Sequence, residues 1–162
     1  MALNAYFTTE GESQGKIEGS CTQAGREGLM EIYGWSHEVI SPRDAASGLP
    51  TGKRQHKPVT ITKAIDKATP LLMNVLVNNE NLTSWKLEMW RPSKAGKEEQ
   101  FYTIELLNGN ISGIRAEQLN NKYPENMNHE VREHISYTYQ KITWTWKDGG
   151  VTAEDDWETP AV

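Results

Sequence analysis

The chain has 162 residues, a length that suits one domain able to bury roughly two-thirds of its unfolded surface. Hydrophobic residues make up 36% and charged residues 24%, which excludes a disordered chain, and no apolar run reaches the roughly 18 residues that a membrane-spanning helix needs. The net charge of −5 opposes nucleic-acid phosphates, so we expect neither a nucleic-acid partner nor membrane insertion.

Short runs of alternating polar and apolar residues predict a mainly β domain. The predicted strands are residues 3–9, 29–38, 59–63, 82–90, 100–107, 111–116, 131–139 and 142–146. In the run 82–90, Trp85, Leu87 and Met89 share one face. Turn residues at 93–97 and at 108–109 predict two tight reversals, the first of them closing a hairpin.

The last two predicted strands show a phase slip. Odd positions carry the apolar and aromatic residues in 131–139, whereas even positions carry them in 142–146. One extra residue near Gln140 and Lys141 would produce this change, so we predict a β-bulge there. Trp144 and Trp146 then share a face that we predict to be buried; alternatively, the tryptophans stack on glycans or single-stranded nucleic acid.

One helix is predicted, with Thr69 as N-cap, Pro70 at the first helical position and 71–77 following. Its residues are apolar nearly all round, Asn74 being the clear exception. A helix on the surface of a monomer keeps a polar outer face. The pattern therefore predicts a helix that is covered on two sides, the alternative being a helix sunk in its own core.

Two segments, residues 40–55 and 119–128, carry no strand or helix pattern. The first is rich in Ser, Pro, Gly and charge, and it is longer than ordinary connections between strands. Long loops of this kind are often functional. We predict that its charges contact other subunits rather than a core; they are Arg43, Asp44, Lys53 and Arg54.

No pattern in the chain predicts catalysis, a cofactor or a metal. The run from Gly48 to Lys53 lacks the spacing of a phosphate-binding loop, and the single Cys21 excludes an internal disulfide. The four histidines are interpreted as isolated residues, and the acidic residues of 148–158 as a solvated tail. Residues 1–7 have neither the basic nor the apolar part of a conventional secretory signal. We therefore expect a protein that is not an enzyme.

Three segments together resemble the haemolysin-coregulated protein (Hcp) family, which forms the inner tube of type VI secretion systems. The strongest reads His56-Lys-Pro-Val-Thr-Ile-Thr-Lys-Ala-Ile-Asp-Lys-Ala-Thr-Pro-Leu-Leu72. The second reads Tyr139-Gln-Lys-Ile-Thr-Trp-Thr-Trp-Lys-Asp-Gly149, and a weaker third is Arg26-Glu-Gly28. Length and strand order also agree, so the resemblance predicts one tube domain over residues 1–162.

The resemblance implies an antiparallel β-barrel of short strands with one flanking α-helix, six copies of which close into a ring. Stacked rings would be fired from the bacterial cytoplasm and secreted without a signal peptide, carrying effector proteins in the lumen and meeting spike and sheath proteins. The expected contacts between subunits or stacked rings are the four charges of 40–55 and the helix residues Leu71, Met73 and Val77. Two alternatives stay open, a tube protein of a phage-like contractile tail and a monomeric, aromatic-rich ligand-binding barrel.

Overall fold

The computed structural model describes residues 3–158, which form a mainly β domain as predicted. The strands are β1 (Ala5–Gly11), β2 (Gly15–Ile17), β3 (Met30–Ser36), β4 (Val39–Ile40), β5 (Gln55–His56), β6 (Val59–Ala64), β7 (Leu82–Pro92), β8 (Glu98–Leu107), β9 (Asn110–Glu117), β10 (Arg132–Thr138), β11 (Lys141–Trp146) and β12 (Val151–Asp156). The helix is α1 (Thr69–Val77). Among the described residues, no helix is long and apolar enough to cross a membrane.

The barrel closes through two long, bent strands. The main sheet is antiparallel and runs in the order β12-β11-β8-β7-β1-β3-β6-β10-β9, with β2 on β1. Strand β8 continues into β9 and β10 into β11, each through a bend. The pair Leu107–Lys141 before the bend and the pair Asn110–Thr138 after it have the same register, so each of the two segments acts as one bent strand. Because β8 also pairs with β7 and β10 with β6, the ladder returns on itself. This is the predicted barrel.

The phase slip near the C-terminus comes from this bend. Tyr139 and Ile142 are both buried although their positions differ in parity. The predicted bulge at Gln140 and Lys141 is wrong, because the register is the same on both sides and no extra residue is present. Instead the chain turns a corner, where the Gln140 N–H donates to the Leu107 carbonyl at 3.1 Å. The corner exchanges the buried and exposed faces of the strand.

The centre of the barrel is an aromatic cluster. Phe7, Trp85 and Tyr137 are buried, and their ring centroids lie 5.3–5.8 Å apart. Leu87 and Met89 alternate with outward residues along β7, which confirms the face predicted for that strand. Pairs of aromatic rings at such distances stabilise a core beyond the area that they bury.

A buried ion pair fastens α1 to the barrel. Lys63 continues the inward face of β6, and its ammonium lies 2.7 Å from the carboxylate of Glu133 and 2.8 Å from that of Asp66. Thr69 donates its hydroxyl proton to Glu133 and accepts the N–H of Asp66. The predicted N-cap is therefore wrong: Ala68 occupies that position, because the Thr69 side chain is used by these two residues.

Removing one partner of this pair should destabilise the domain strongly. Lys63→Met leaves the Glu133 carboxylate buried without its cation, a change that typically costs ~3–5 kcal/mol. The combination of Lys63→Met with Glu133→Leu should recover most of that loss, because the fully buried carboxylate is removed with its cation and the remaining partner, Asp66, is partly exposed and accepts the N–H of Ala68. Denaturant unfolding measures both, with Lys16→Met, in an exposed pair with Glu18, as a control that shifts stability by about 0.5 kcal/mol or less. A single variant as stable as the parent would contradict this role.

Burial decreases along β11 toward its end. Ile142 is buried and Trp144 is partly buried against the core, but Trp146 is 40% exposed. The prediction that both tryptophans are buried is therefore wrong for Trp146. Its ring lies at the end of the strand and packs on other side chains than those of the core. The ring centroid is 6.0 Å from that of Phe101 and 5.2 Å from the guanidinium carbon of Arg91.

The two tryptophans should consequently differ in their effect on stability. Trp144→Ala removes core packing and should cost toward the lower end of the roughly 3–5 kcal/mol typical of buried aromatic residues. Trp146→Ala removes a surface stack with a cation and should cost about 1 kcal/mol or less. Thermal unfolding of the two variants, measured side by side, tests whether Trp144→Ala loses more stability than Trp146→Ala. Equal losses of stability would contradict this prediction.

Candidate assembly site

The outward side of α1 is mainly apolar, with the exposed Asn74 as its polar residue. Leu72 and Val75 face the barrel and are buried, whereas Met73 and Val77 lie one turn apart on the opposite side, 38% and 69% exposed. Leu71 lies on the flank of the helix, where its carbonyl accepts a hydrogen bond from Gln14. The subunit thus covers one side of the helix itself, and two of the three predicted helix residues form a common outer surface.

Residues 39–56, which include the segment 40–55 that carried no strand or helix pattern, form an ordered hairpin-like arm. Strands β4 and β5 pair at its base, and Arg43 bridges to Pro50 further out. At the tip the carboxylate of Asp44 accepts the N–H of Ala46 at 3.1 Å and both the N–H and the hydroxyl of Ser47. These bonds, foremost that of the Ser47 hydroxyl, hold the pKa of Asp44 below its usual value. Arg43 and Asp44 are exposed on this arm.

The other two predicted charges bind the barrel of their own subunit. The guanidinium of Arg54 forms a two-pronged contact with Asp155, at 2.5 and 2.8 Å, and donates to the carbonyl of Asp156 at 2.9 Å. The ammonium of Lys53 donates to the carbonyl of Trp157. Lys53 stays exposed, whereas Arg54 is partly buried. Replacing Arg54 therefore perturbs the fold as well as any contact with a second subunit.

Arg54 belongs to a group of polar side chains that we name the histidine cluster, defined as His37, Arg54, His56, Tyr139 and Asp155. The Tyr139 hydroxyl lies between His37 Nε2 at 2.6 Å and His56 Nδ1 at 2.9 Å. On its other side His56 Nε2 meets the carboxylate of Asp155 at 2.6 Å. These contacts join the base of the arm to the bend of the barrel and to β12.

The electrostatics of the histidine cluster follow from its burial. Arg54 first and His56 second hold the pKa of Asp155 below its usual value, so this carboxylate is ionised. Burial raises the pKa of Tyr139, which keeps its hydroxyl protonated. Burial, followed by the charge of His56, lowers the pKa of His37. The arrangement is a chain of hydrogen bonds between chain segments, with Tyr139 and the His56 side chain almost inaccessible to solvent.

Sequence reasoning missed this cluster in two respects. His37 and His56 were interpreted as isolated, although both contact one hydroxyl more than 80 residues away. The solvated acidic tail is also wrong, because β12 pairs with β11 and Asp155 faces the arm. The pair Gly149-Gly150 is a local signal for this hairpin in the sequence. The two glycines adopt φ of 79° and 67°, the conformation that tight hairpin turns require.

The remaining histidine with a carboxylate nearby, His134, lies on the outer face of β10. Its ring contacts Thr62 at 2.8 Å and Glu117 at 2.9 Å, while Glu133 points into the barrel. Glu117 also binds two arginines, and with His134 they lower its pKa to about 2. Within residues 3–158, no group of three or more His, Cys, Asp or Glu side chains is placed to hold a metal.

Comparison with known proteins places this architecture in a family. Residues 6–146 match the family model described as type VI secretion system effector, Hcp. The "Major exported protein" of Pseudomonas aeruginosa is 41% identical over 169 residues, which cover 99% of this chain and 98% of that protein. The Escherichia coli protein YhhZ is 30% identical over 124 residues, covering 75% of this chain but only 31% of its own length.

Solved structures agree with the sequence comparison. A crystal structure of an Hcp protein superposes with a TM-score of 0.90 at 29% identity, covering 98% of this chain and all of that one. The secreted protein Hcp3 from Pseudomonas aeruginosa gives 0.79 at 34% identity, again with 98% and 100% coverage. The barrel with its flanking helix and these matches together show that the chain belongs to the Hcp family of the type VI secretion system, a family of secreted, structural tube proteins and not of enzymes.

Proposed function

We propose that this chain is a subunit of the inner tube of a type VI secretion system, in which six copies close into a ring and the rings stack. The observation that carries the proposal is the apolar outward side of α1, formed by Met73 and Val77. A closed ring needs a heterologous interface, in which one surface of each subunit meets a different surface of the next. An unpaired apolar helix face on a small barrel supplies one such surface.

Contacts within the subunit hold the helix in place, so that its outward side is available for this interface. The pair of Lys63 and Glu133 fixes its first turn on the barrel, and Leu72 and Val75 hold its inner side. A specific interface buries about 1,000 Å² or more, a larger area than two side chains provide. The flank of the helix with Leu71 is therefore part of the proposed contact.

The arm is our candidate for contacts between stacked rings or between neighbours in one ring. Arg43 and Asp44 project from it in opposite charge states, and Asp44 also orders the tip through Ser47. Charges at the rim of an interface set partner choice and orientation more than affinity. Lys53 and Arg54 contribute chiefly by holding the arm on the barrel.

We further propose that the protein is exported from the bacterial cytoplasm. Support comes from the names of two relatives, an exported and a secreted protein. In this proposal the ring lumen carries effector proteins, and the tube meets spike and sheath proteins during firing. The alternative of a monomeric aromatic-rich binding barrel is less favoured, because Trp85 and Trp144 pack against the core.

Charging the outward side of α1 should abolish the ring without unfolding the subunit. Met73→Glu combined with Val77→Glu places two carboxylates in the proposed apolar contact, where they would be buried unpaired. Light scattering should change from a six-subunit mass to a monomer, while circular dichroism stays unchanged. Val151→Glu is the matched control, since Val151 is 66% exposed on β12 and Val77 is 69% exposed. Intact rings in the double variant would refute the role of the helix.

Reversing the charge of the arm should affect stacking and leave single rings intact. Arg43→Glu sets a second carboxylate beside Asp44, and like charges facing each other across an interface are strongly unfavourable. Negative-stain images should show shorter tubes or isolated rings at unchanged protein concentration. Lys122→Glu, an exposed charge change in the segment 119–128, should leave tube length unaltered. Tubes of normal length in the Arg43 variant would remove the arm from the stacking contact.

A further inference from the structure

We propose that the histidine cluster is a proton-sensitive latch, which holds the arm against β12 at neutral pH and releases it in mildly acidic solution. The release of the arm concerns this chain alone and requires no partner. Its consequence for assembly rests on the proposed function, in which the arm takes part in contacts between rings.

The latch matters because the arm has no strand pairing with the barrel among the described residues. Strands β4 and β5 form a two-stranded sheet of their own, separate from the main sheet. The attachments of the arm to β12 and the bend are side-chain contacts, those of Arg54 and His56 with Asp155 and that of Lys53 with the carbonyl of Trp157. His37, just before β4, adds its bond to Tyr139. Loosening these contacts would free the arm without breaking any pairing of the barrel.

One protonation pattern joins Asp155, His56, Tyr139 and His37 with both imidazole rings neutral. The ionised Asp155 accepts from His56 Nε2, so the other nitrogen of a neutral His56 accepts the single proton of the Tyr139 hydroxyl. His37 must then donate its Nε2 proton to the oxygen of that hydroxyl. These proton positions are assigned from the network. Both imidazole rings are neutral in this arrangement.

Adding protons disturbs the pattern. A protonated His56 directs its Nδ1–H at the Tyr139 oxygen, which already receives the proton of His37. The hydroxyl must then turn its own proton to the carbonyl of Lys57, 3.5 Å away, at the outer limit of a hydrogen bond. If both His37 and His56 are protonated, their two positive charges repel each other, because only the hydroxyl of Tyr139 separates the rings.

The surrounding charges do not compensate for a second cation. Among the described residues, Tyr139 and Asp155 contact the two rings. Arg54 lies beyond Asp155, while Lys53 and Asp156 contact neighbouring groups. Asp155 is already paired with Arg54, and the carboxylate of Asp156 binds Gln140 at 3.2 Å. A proton on His37 therefore adds positive charge that meets no carboxylate among these groups, because Asp155 contacts His56 instead.

The direction of the pH effect follows from His37. Burial, and repulsion by His56 when that ring is protonated, hold the pKa of His37 below its usual value in the closed state, whereas an open arm returns the ring to water and to a pKa of about 6.5. The closed state thus binds fewer protons than the open state, and acidification below about pH 6.5 favours opening. The lowered pKa of Asp155 acts in a separate, more acidic range, where its protonation would break the pairs with Arg54 and His56.

Hydrogen exchange of the full chain tests the latch. Exchange is measured at pH 7.0 and 5.5, corrected for the chemical rate, at a concentration where light scattering shows unstacked particles. Residues 39–57 should lose protection several-fold at the lower pH, while β6 and β12, whose ladders stay paired, keep their protection. His37→Gln retains an N–H donor but does not titrate, so it should weaken this pH dependence. His129→Gln changes an exposed histidine and should leave the dependence unaltered.

The outcomes separate the latch from the proposed function. Equal protection of the wild-type arm at both pH values would overturn the latch, as would an undiminished pH dependence in His37→Gln. Tyr139→Phe, which removes the shared hydroxyl, should expose the arm already at pH 7.0, and full protection in that variant would also count against the latch. An arm that opens at pH 5.5 while negative-stain images show unchanged stacks would support the latch and contradict the role of the arm in stacking.

Discussion

The constraint on which the structure depends is the closure of the antiparallel ladder by two bent strands. β8 pairs with β11 and β9 with β10 on either side of the bend, and β8 and β10 also pair with strands on the other side of the barrel. Closure gives β8, β10 and β11 a paired neighbour on both sides, so these strands offer no free edge for pairing between chains. It also decides which residues face inward, because the corner at Tyr139 and Gln140 exchanges the two faces of one strand.

Two polar clusters hold the outward elements on this barrel, and they differ in their chemistry. The helix depends on the fully buried pair of Lys63 and Glu133, two charges whose desolvation is tolerated because they face each other across β6 and β10. The arm depends on the histidine cluster, which lies at the bend of the barrel and contains two histidines, the residue type whose unperturbed charge change falls nearest to neutral pH. A permanent attachment for the helix and a pH-dependent one for the arm follow from these compositions.

Contacts within the subunit therefore position the proposed assembly surfaces. Met73 and Val77 point outward because Leu72 and Val75 face the core, and the arm keeps its shape because Asp44 and the cluster order its tip and base. None of the seven residues predicted for contacts lies in the barrel core. Arg54 nevertheless serves the fold of its own subunit, since it is the main cationic partner of Asp155.

The sequence by itself determined eight of the twelve strands, the hairpin of β7 and β8 and the helix, because alternation, turn residues and Pro70 act over a few neighbouring residues. It did not predict β2, β4, β5 and β12. It also identified the family through three short segments. Only the tertiary structure decided which side chains meet. The inward position of Lys63 follows from alternation, but its partner Glu133 depends on the register of a strand 70 residues away. His37, His56, Tyr139 and Asp155 likewise lie on four separate segments, and barrel closure is the step that brings their atoms within hydrogen-bonding distance.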